Sequence, residues 1–297
     1  MRRLFVPNAI LAIFIFTFAA TPACVLVAAP AAQAQDGQFF DSNGVQIHYV
    51  DQGEGEPVIL MHGLNMDYQS NWFDTGVAQT LLDAGYRVLA LDARAHGKSG
   101  GPHDPAQYGQ EMARDIVRLM DHAQLDRAHV VGYSMGAGIS AKLRDLHPER
   151  LTTLTLGGGG WIPPTSGPAG QSSLADALER GEGFVPLYRV LFPDWSDEAR
   201  QARSDANVAK LADVQATVAM LRAAPLSVTE ESLRANTVPT LAIVGGNDPA
   251  KQGVDALGRV MSRIETVVIP GADHLAAVSH SDFSSSLLTF LKKHHTN

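Results

Sequence analysis

The sequence predicts an α/β fold: a mostly parallel sheet with helices on both faces and one long helical insertion. Three observations carry this. From Pro57 onward, short apolar runs alternate with segments of helical period, the pattern of a parallel sheet built through crossover helices. The run Ala128–Tyr133 ends in Gly132-Tyr133-Ser134-Met135-Gly136 and passes at once into the helix-like residues 139–144, which puts a serine on a sharp strand-to-helix turn. Over about residues 174–235 strand signals stop. A block of that length is too long for a loop in a compact domain, and it reads as a cap inserted after the sixth strand.

The elements follow in order. Residues 1–34 read as an export signal, with Arg2 and Arg3 as the positive start, an apolar stretch over 4–20, and Ala32-Gln33-Ala34 as the cleavage site. The mature chain then begins at Gln35 and is periplasmic or secreted. The alternatives are a membrane tether, through an uncleaved signal or a lipid on Cys24. Asn43-Gly44 between Phe39-Phe40 and residues 45–50 marks a hairpin, which adds antiparallel strands at one edge. Residues 57–61 form a buried strand ending at His62-Gly63. Residues 72–84 read as a helix and 86–91 as the next strand, ending at Asp92. Asp104-Pro105 is expected to start a helix as cap and first residue, with Tyr108, Met112, Ile116, Leu119 and Met120 on one face. The helix after Ser134 runs to about His147, and 151–156 is a strand ending in four glycines. Pro163-Pro164 and Ser166-Gly167-Pro168 mark a linker into the cap. Strands resume at 240–244 and 264–269, with helices near 254–261 and 283–293. The domains are therefore a signal peptide (1–34), a core (35–160 and 237–297) and a helical cap (161–236).

Composition narrows the function. The chain of 297 residues carries a formal charge of -8, and residues 1–34 hold two of its arginines and no acid. An acidic chain without a basic run argues against nucleic acid and anionic membrane surfaces as partners. Cys24 is the single cysteine, so the mature chain has no disulfide and no metal-thiolate site, and no metal-ligand spacing is present.

The chemistry rests on Ser134. A serine hydroxyl is a weak nucleophile and needs a base. In open sheets, functional groups collect at the carboxyl ends of strands. Asp248 and His274 each follow such an end, in Gly245-Gly246-Asn247-Asp248-Pro249 and Pro270-Gly271-Ala272-Asp273-His274. His274 is the expected base, with His280 as the fallback, and Asp248 the expected acid, although it also suits a cap before Pro249. Gly132 and Gly136 give the serine turn room. The backbone N–H groups of Leu64 and Met135 are expected to form an oxyanion hole. His62 is read as structural.

With His62-Gly63, Asp92-Ala93-Arg94-Ala95-His96-Gly97-Lys98-Ser99, Gly132 to Gly136, Asp248 and His274 in hand, the chain resembles the α/β-hydrolase superfamily over about residues 38–293. Ala95 stands where glycine is usual in that family. The resemblance implies a structural network of Asp92, Arg94 and His96. It also implies a lid-bearing serine esterase rather than an epoxide hydrolase or haloalkane dehalogenase, which use aspartate at the elbow. Asn65 departs from the proline usual in the cofactor-free haloperoxidase branch. The expected activity is ester hydrolysis through an acyl-enzyme, without a cofactor or metal, on a small molecule with an apolar acyl or alcohol part. Trp161, Phe192 and Trp195 are the candidate substrate contacts. A carbon–carbon, thioester or lactone hydrolase with the same triad, and a non-catalytic binding protein, are the alternatives.

Overall fold

The opening strands β1 (Gln38–Ser42) and β2 (Val45–Gln52) form an antiparallel hairpin. Asn43 and Gly44 both take the left-handed φ that this tight turn requires, 56° and 82°. In the computed structural model, which describes residues 37–161 and 169–295, six more strands follow. They are β3 (Pro57–Met61), β4 (Arg87–Leu91), β5 (Ala128–Tyr133), β6 (Leu151–Gly157), β7 (Thr240–Gly245) and β8 (Ile264–Ile269). The expected signal with Cys24 and Gln35, and the linker at 163–168, lie outside the described residues.

The strand order is β1-β2-β4-β3-β5-β6-β7-β8. Strands β3 to β8 pair in parallel, and β2 runs antiparallel to both β1 and β4. From β3 the chain first goes to β4 on one side and then to β5 on the other. That reversal opens a crevice at the carboxyl ends of β3 and β5, where His62-Gly63 and Ser134 sit.

Helices α1 (Val77–Asp83), α2 (Gln110–His122) and α3 (Met135–Leu146) precede β6. Strand β3 shows how the sheet is covered. Val58 and Leu60 join Trp72, Leu81, Phe283 and Leu287 in one buried cluster. Ile59 and Met61 join Ile116, Leu119, Ile139 and Leu143 in the other. Alternate residues of a strand point to opposite faces, so a strand buried on both faces must be apolar throughout.

Between β6 and β7 the described chain is helical: α4 (Ala169–Glu179), α5 (Val185–Leu191), α6 (Asp197–Val208), α7 (Val214–Leu221) and α8 (Glu230–Arg234). Leu174, Phe184, Tyr188, Phe192 and Met220 from this block share the buried cluster of Ile59 and Val130, and Leu64, Met135 and Leu275 pack against it. Helices α9 (Lys251–Val260), α10 (Ala276–Ser279) and α11 (Ser281–Lys293) complete the chain.

Two helix starts differ from the sequence reading. Asp104 does cap a turn, its Oδ1 accepting the Ala106 N–H at 3.0 Å, but Pro105–Gln107 is a single 3-10 turn. Gly109, at φ 61°, breaks it from α2, which begins at Gln110. Tyr108 is buried outside the helix, its hydroxyl donating to the Pro102 carbonyl. Likewise 72–84 is not one helix. Gln69–Phe73 is a π-helical turn, and Gly76 at φ 80° precedes α1.

Candidate active site

Ser134 leaves β5 with φ 54° and ψ -112°, a backbone conformation that is costly for a residue with a side chain. Its N–H donates to the Gly157 carbonyl of β6 at 2.8 Å. The two flanking glycines have separate reasons. A Cβ on Gly132 would lie 2.2 Å from the Gly136 carbonyl oxygen; one on Gly136 would lie 2.1 Å from the Met61 carbonyl oxygen of β3. Helix α3 thus begins wedged against two strands, with its N-terminus under Ser134.

Three predicted residues meet here. His274 Nε2 is 2.9 Å from Ser134 Oγ, and His274 Nδ1 is 2.7 Å from Asp248 Oδ2. His274 and Asp248 are almost wholly buried, at 5% and 3% exposure, so their bond is shielded from water. Asp248 serves two ends: its Oδ1 accepts the Ala250 N–H at 2.8 Å while Oδ2 faces the imidazole. Asp273 points elsewhere, its Oδ1 accepting the N–H groups of Leu275 and Ala276. His280 is exposed and caps α11, with Nδ1 accepting the Asp282 N–H.

The oxyanion side is built on the turn after β3. Gly63 comes so close to Ser134 that an added Cβ would sit 3.3 Å from the serine Cβ. Among the described residues, the N–H groups of Leu64 and Met135 have no acceptor. Asn71, fully buried on the π-helical turn, accepts the Gly63 N–H through Oδ1 at 2.9 Å. This fixes the His62–Gly63 peptide, one before the peptide that carries the Leu64 N–H, and the sequence reading had no signal for it. Tyr133 was likewise missed as a positioning group: its hydroxyl donates to the His274 carbonyl at 2.5 Å. Burial, and then the carboxylates of Asp248 and Asp273, push the Tyr133 phenol pKa up, so it stays a donor.

His62 is held as a neutral scaffold. Nε2 accepts the Ala93 N–H at 3.0 Å, and Nδ1 donates to the Gly63 carbonyl at 2.8 Å. Burial lowers its pKa against the opposing pull of Asp92. Asp92, Arg94 and His96 are buried and structural, as expected, but no bond joins their side chains to one another directly. Asp92 takes His48 Nδ1 and the N–H groups of Tyr68 and Lys98, each at 2.9 Å. Arg94 grips Asp115 with two bonds of 2.7 Å in the core. The His96 ring is anchored to the Arg94 carbonyl. Asp92 and Arg94 also bind His48, Tyr68 and Asp115 outside the motif, partners that short-range pattern reading does not reveal.

The candidate substrate contacts lie in and beside the helical block. Phe192 stacks on Trp195, with ring centroids 4.2 Å apart, and Arg200 donates to the Phe192 carbonyl. Trp161 is half-buried, and its Nε1 donates to the Val228 carbonyl at 2.9 Å. The contacts these three show are packing contacts within and onto the block. Among the described residues no acidic, histidine or cysteine cluster is able to hold a metal ion, and no helix is long and apolar enough to cross a membrane.

The profile of the alpha/beta hydrolase fold family matches residues 56–207, more than half of the chain. The chain belongs to the α/β-hydrolase family. This hydrolase is 30% identical to a non-heme chloroperoxidase of Kitasatospora aureofaciens over 84% of its own length and 98% of the relative's. It is 29% identical to a 2-hydroxy-6-oxononadienedioate/2-hydroxy-6-oxononatrienedioate hydrolase of Paraburkholderia xenovorans, over 83% and 91% of the two chains. Of two further curated relatives it spans only 59% and 64% of the length. An esterase from Exiguobacterium antarcticum superposes with a TM-score of 0.72 at 21% identity, covering 86% of this hydrolase and 99% of that chain, which speaks to the fold.

Proposed function

We propose that this α/β-hydrolase is an exported serine hydrolase that cleaves carboxylic esters of small molecules. One observation supports the reading above the rest: the continuous hydrogen-bond chain from Ser134 Oγ through His274 to Asp248, 2.9 Å and 2.7 Å long. In the proposed reaction His274 Nε2 takes the serine proton as Oγ attacks the ester carbonyl. Asp248 holds the proton on Nδ1, so that Nε2 is free to accept, and steadies the imidazolium that forms. The N–H groups of Leu64 and Met135, with the N-terminal dipole of α3, stabilise the oxyanion. His274 returns the proton to the leaving alcohol. Water then attacks the acyl-enzyme by the same route in reverse.

In this reading residues 161–236 act as a cap that selects the substrate, whose acyl or alcohol part is apolar. Residues 1–34 direct export, with cleavage after Ala34; N-terminal sequencing of the exported chain tests this, and a start at Cys24 would mean a lipid anchor instead. A second reading is carbon–carbon bond hydrolysis with the same triad, favoured by the likeness to the Paraburkholderia xenovorans hydrolase. The deciding experiment is turnover by purified mature protein of a p-nitrophenyl ester series beside a vinylogous 1,5-diketone. Efficient ester turnover that disappears in Ser134→Ala supports the first reading. Diketone cleavage with negligible ester turnover replaces it with the second.

A further inference from the structure

Gly63 carries the turn on which the oxyanion side depends, and it is poorly suited to hold that turn by itself. The backbone there passes so close to Ser134 that a side chain would crowd it. Without a Cβ, however, the peptides on either side of Gly63 are free to swing. Side chains restrain both. Asn71 Oδ1 accepts the Gly63 N–H at 2.9 Å, which holds the His62–Gly63 peptide. His62 Nδ1 donates to the Gly63 carbonyl at 2.8 Å, and the Met66 N–H approaches the same oxygen at 3.3 Å. That carbonyl belongs to the Gly63–Leu64 peptide. In a planar trans peptide the C=O and the N–H point in opposite directions, so fixing the Gly63 carbonyl fixes the line of the Leu64 N–H. Neither brace works when reversed. Turning the Asn71 amide round sets an N–H against the Gly63 N–H. Turning the His62 ring over sets carbon atoms against the Gly63 carbonyl and against the Ala93 N–H, which Nε2 accepts at 3.0 Å. His62 and Asn71 are both fully buried, and His96 packs on the His62 ring with centroids 5.1 Å apart.

We propose that His62 is a positioning residue of the oxyanion hole: its Nδ1–H, acting through the Gly63 carbonyl, aims the Leu64 N–H at the point where negative charge develops, while Asn71 keeps the preceding peptide from rotating. The inference rests on the proposed hydrolytic mechanism and deepens it. It gives each ring nitrogen a separate job. Nε2, on Ala93, ties the turn to the segment that follows β4. Nδ1 sets the direction of a donor that meets the reacting atoms. A misaimed donor weakens the transition state more than the bound substrate, because a ground-state carbonyl carries little charge. The signature is a fall in kcat with KM nearly constant.

Two substitutions separate the two nitrogens. Asparagine carries its Nδ2 at the same bond count from Cβ as Nδ1 of histidine, so His62→Asn keeps a donor for the Gly63 carbonyl and leaves the Ala93 N–H unpaired. Glutamine carries its Oε1 at the bond count of Nε2, so His62→Gln keeps the acceptor for Ala93 and loses the donor. The test measures kcat and KM of the purified protein and both variants on a p-nitrophenyl ester, with thermal unfolding alongside. His62→Gln is expected to lose kcat on the order of 10- to 100-fold, the scale of a displaced oxyanion donor, with KM changed by less than about twofold. His62→Asn is expected to lose several-fold at most, although its shorter side chain and the unpaired Ala93 N–H make it the less stable of the two. A purely structural His62 gives the opposite order, with activity following stability. Equal losses, a greater loss in His62→Asn, or a loss carried by KM overturns the inference and leaves the ester reading in place. Should a His62 variant not fold, Asn71→Asp and Asn71→Leu pose the question on the neighbouring peptide: the first keeps an acceptor for the Gly63 N–H, and an equal fall of kcat in both overturns the inference. If the wild type cleaves no ester, that reading fails by itself, and the rate at which a fluorophosphonate modifies Ser134 becomes the readout, since its phosphoryl oxygen meets the same donors. Labelling slowed more in His62→Gln than in His62→Asn upholds the inference; equal rates, or no labelling of Ser134, overturn it.

Discussion

Replacing Asp248 by asparagine tests the division of labour within its carboxylate. The two oxygens have different partners: Oδ1 accepts the Ala250 N–H at 2.8 Å and Oδ2 faces His274 Nδ1 at 2.7 Å. In Asp248→Asn the amide oxygen is needed on the Ala250 side, because an N–H facing an N–H leaves both unsatisfied in a buried place. The NH2 then points at Nδ1, which must become the acceptor. The ring proton moves to Nε2, facing Ser134 Oγ at 2.9 Å as a donor, and that tautomer is unable to take the serine proton. Turning the amide round restores the productive tautomer but breaks the Ala250 bond. The fold should survive, since one hydrogen bond of about 1 kcal/mol is the most that is lost. Turnover should fall on the order of 10⁴-fold, about 5 kcal/mol of transition-state stabilisation, the scale known for the same change in the serine protease triad. The assay is kcat on a p-nitrophenyl ester, with thermal unfolding alongside. Asp273→Asn is the control and should leave kcat within a few-fold. Near-normal kcat in Asp248→Asn, or its abolition in Asp273→Asn, would refute the reasoning.

Asp92→Asn should act on stability: the Asp92 carboxylate accepts three bonds, and an amide has no way to accept all of them. A loss of about 2–4 kcal/mol is expected, read as a fall in Tm of roughly 5–10 °C; an unchanged Tm contradicts it. Ala95 sits at φ 62° but its methyl is buried, so in Ala95→Gly the relief of about 1–2 kcal/mol of strain is offset by the flexibility of unfolded glycine and the lost burial of about 0.8 kcal/mol; stability by chemical denaturation should change by less than about 1 kcal/mol, and a larger loss contradicts the strain. Burial, and then the neighbouring His62, hold the His96 pKa down at about 4, so the folded state prefers the neutral ring. Its contribution is fully present above the unfolded value of about 6.5 and is lost as pH falls towards 4, on the order of 3 kcal/mol from this residue. Urea midpoints should therefore drop between pH 6.5 and 4, and less steeply in His96→Asn; a midpoint independent of pH over that window contradicts the assignment.

Much of the fold is legible because local chemistry and burial agree. Asn43-Gly44 dictates its hairpin, and continuous apolar runs such as Val-Ile-Leu-Met after Pro57 have no use except in a strand covered on both faces. Ser134, Asp248 and His274 are legible for a related reason: each follows the end of a parallel strand, so topology alone brings them to one edge. Failures come where a single backbone angle overrides periodicity. Asp104-Pro105 carries the chemistry of a helix start, yet left-handed Gly109 delays the helix. Gly76 divides 72–84 in the same way. Asn71 and Tyr133 act through bonds across 8 and 141 residues, and no spacing rule marks them.

The central claim is that His274 and Asp248 activate one hydroxyl, that of Ser134, above every other serine in the chain. Labelling the purified protein with a fluorophosphonate and mapping the modified peptide tests it most directly. The account predicts a single stoichiometric adduct on Ser134, formed together with loss of ester turnover and absent in His274→Ala. An adduct on a different serine, or no adduct in a folded sample, would contradict it.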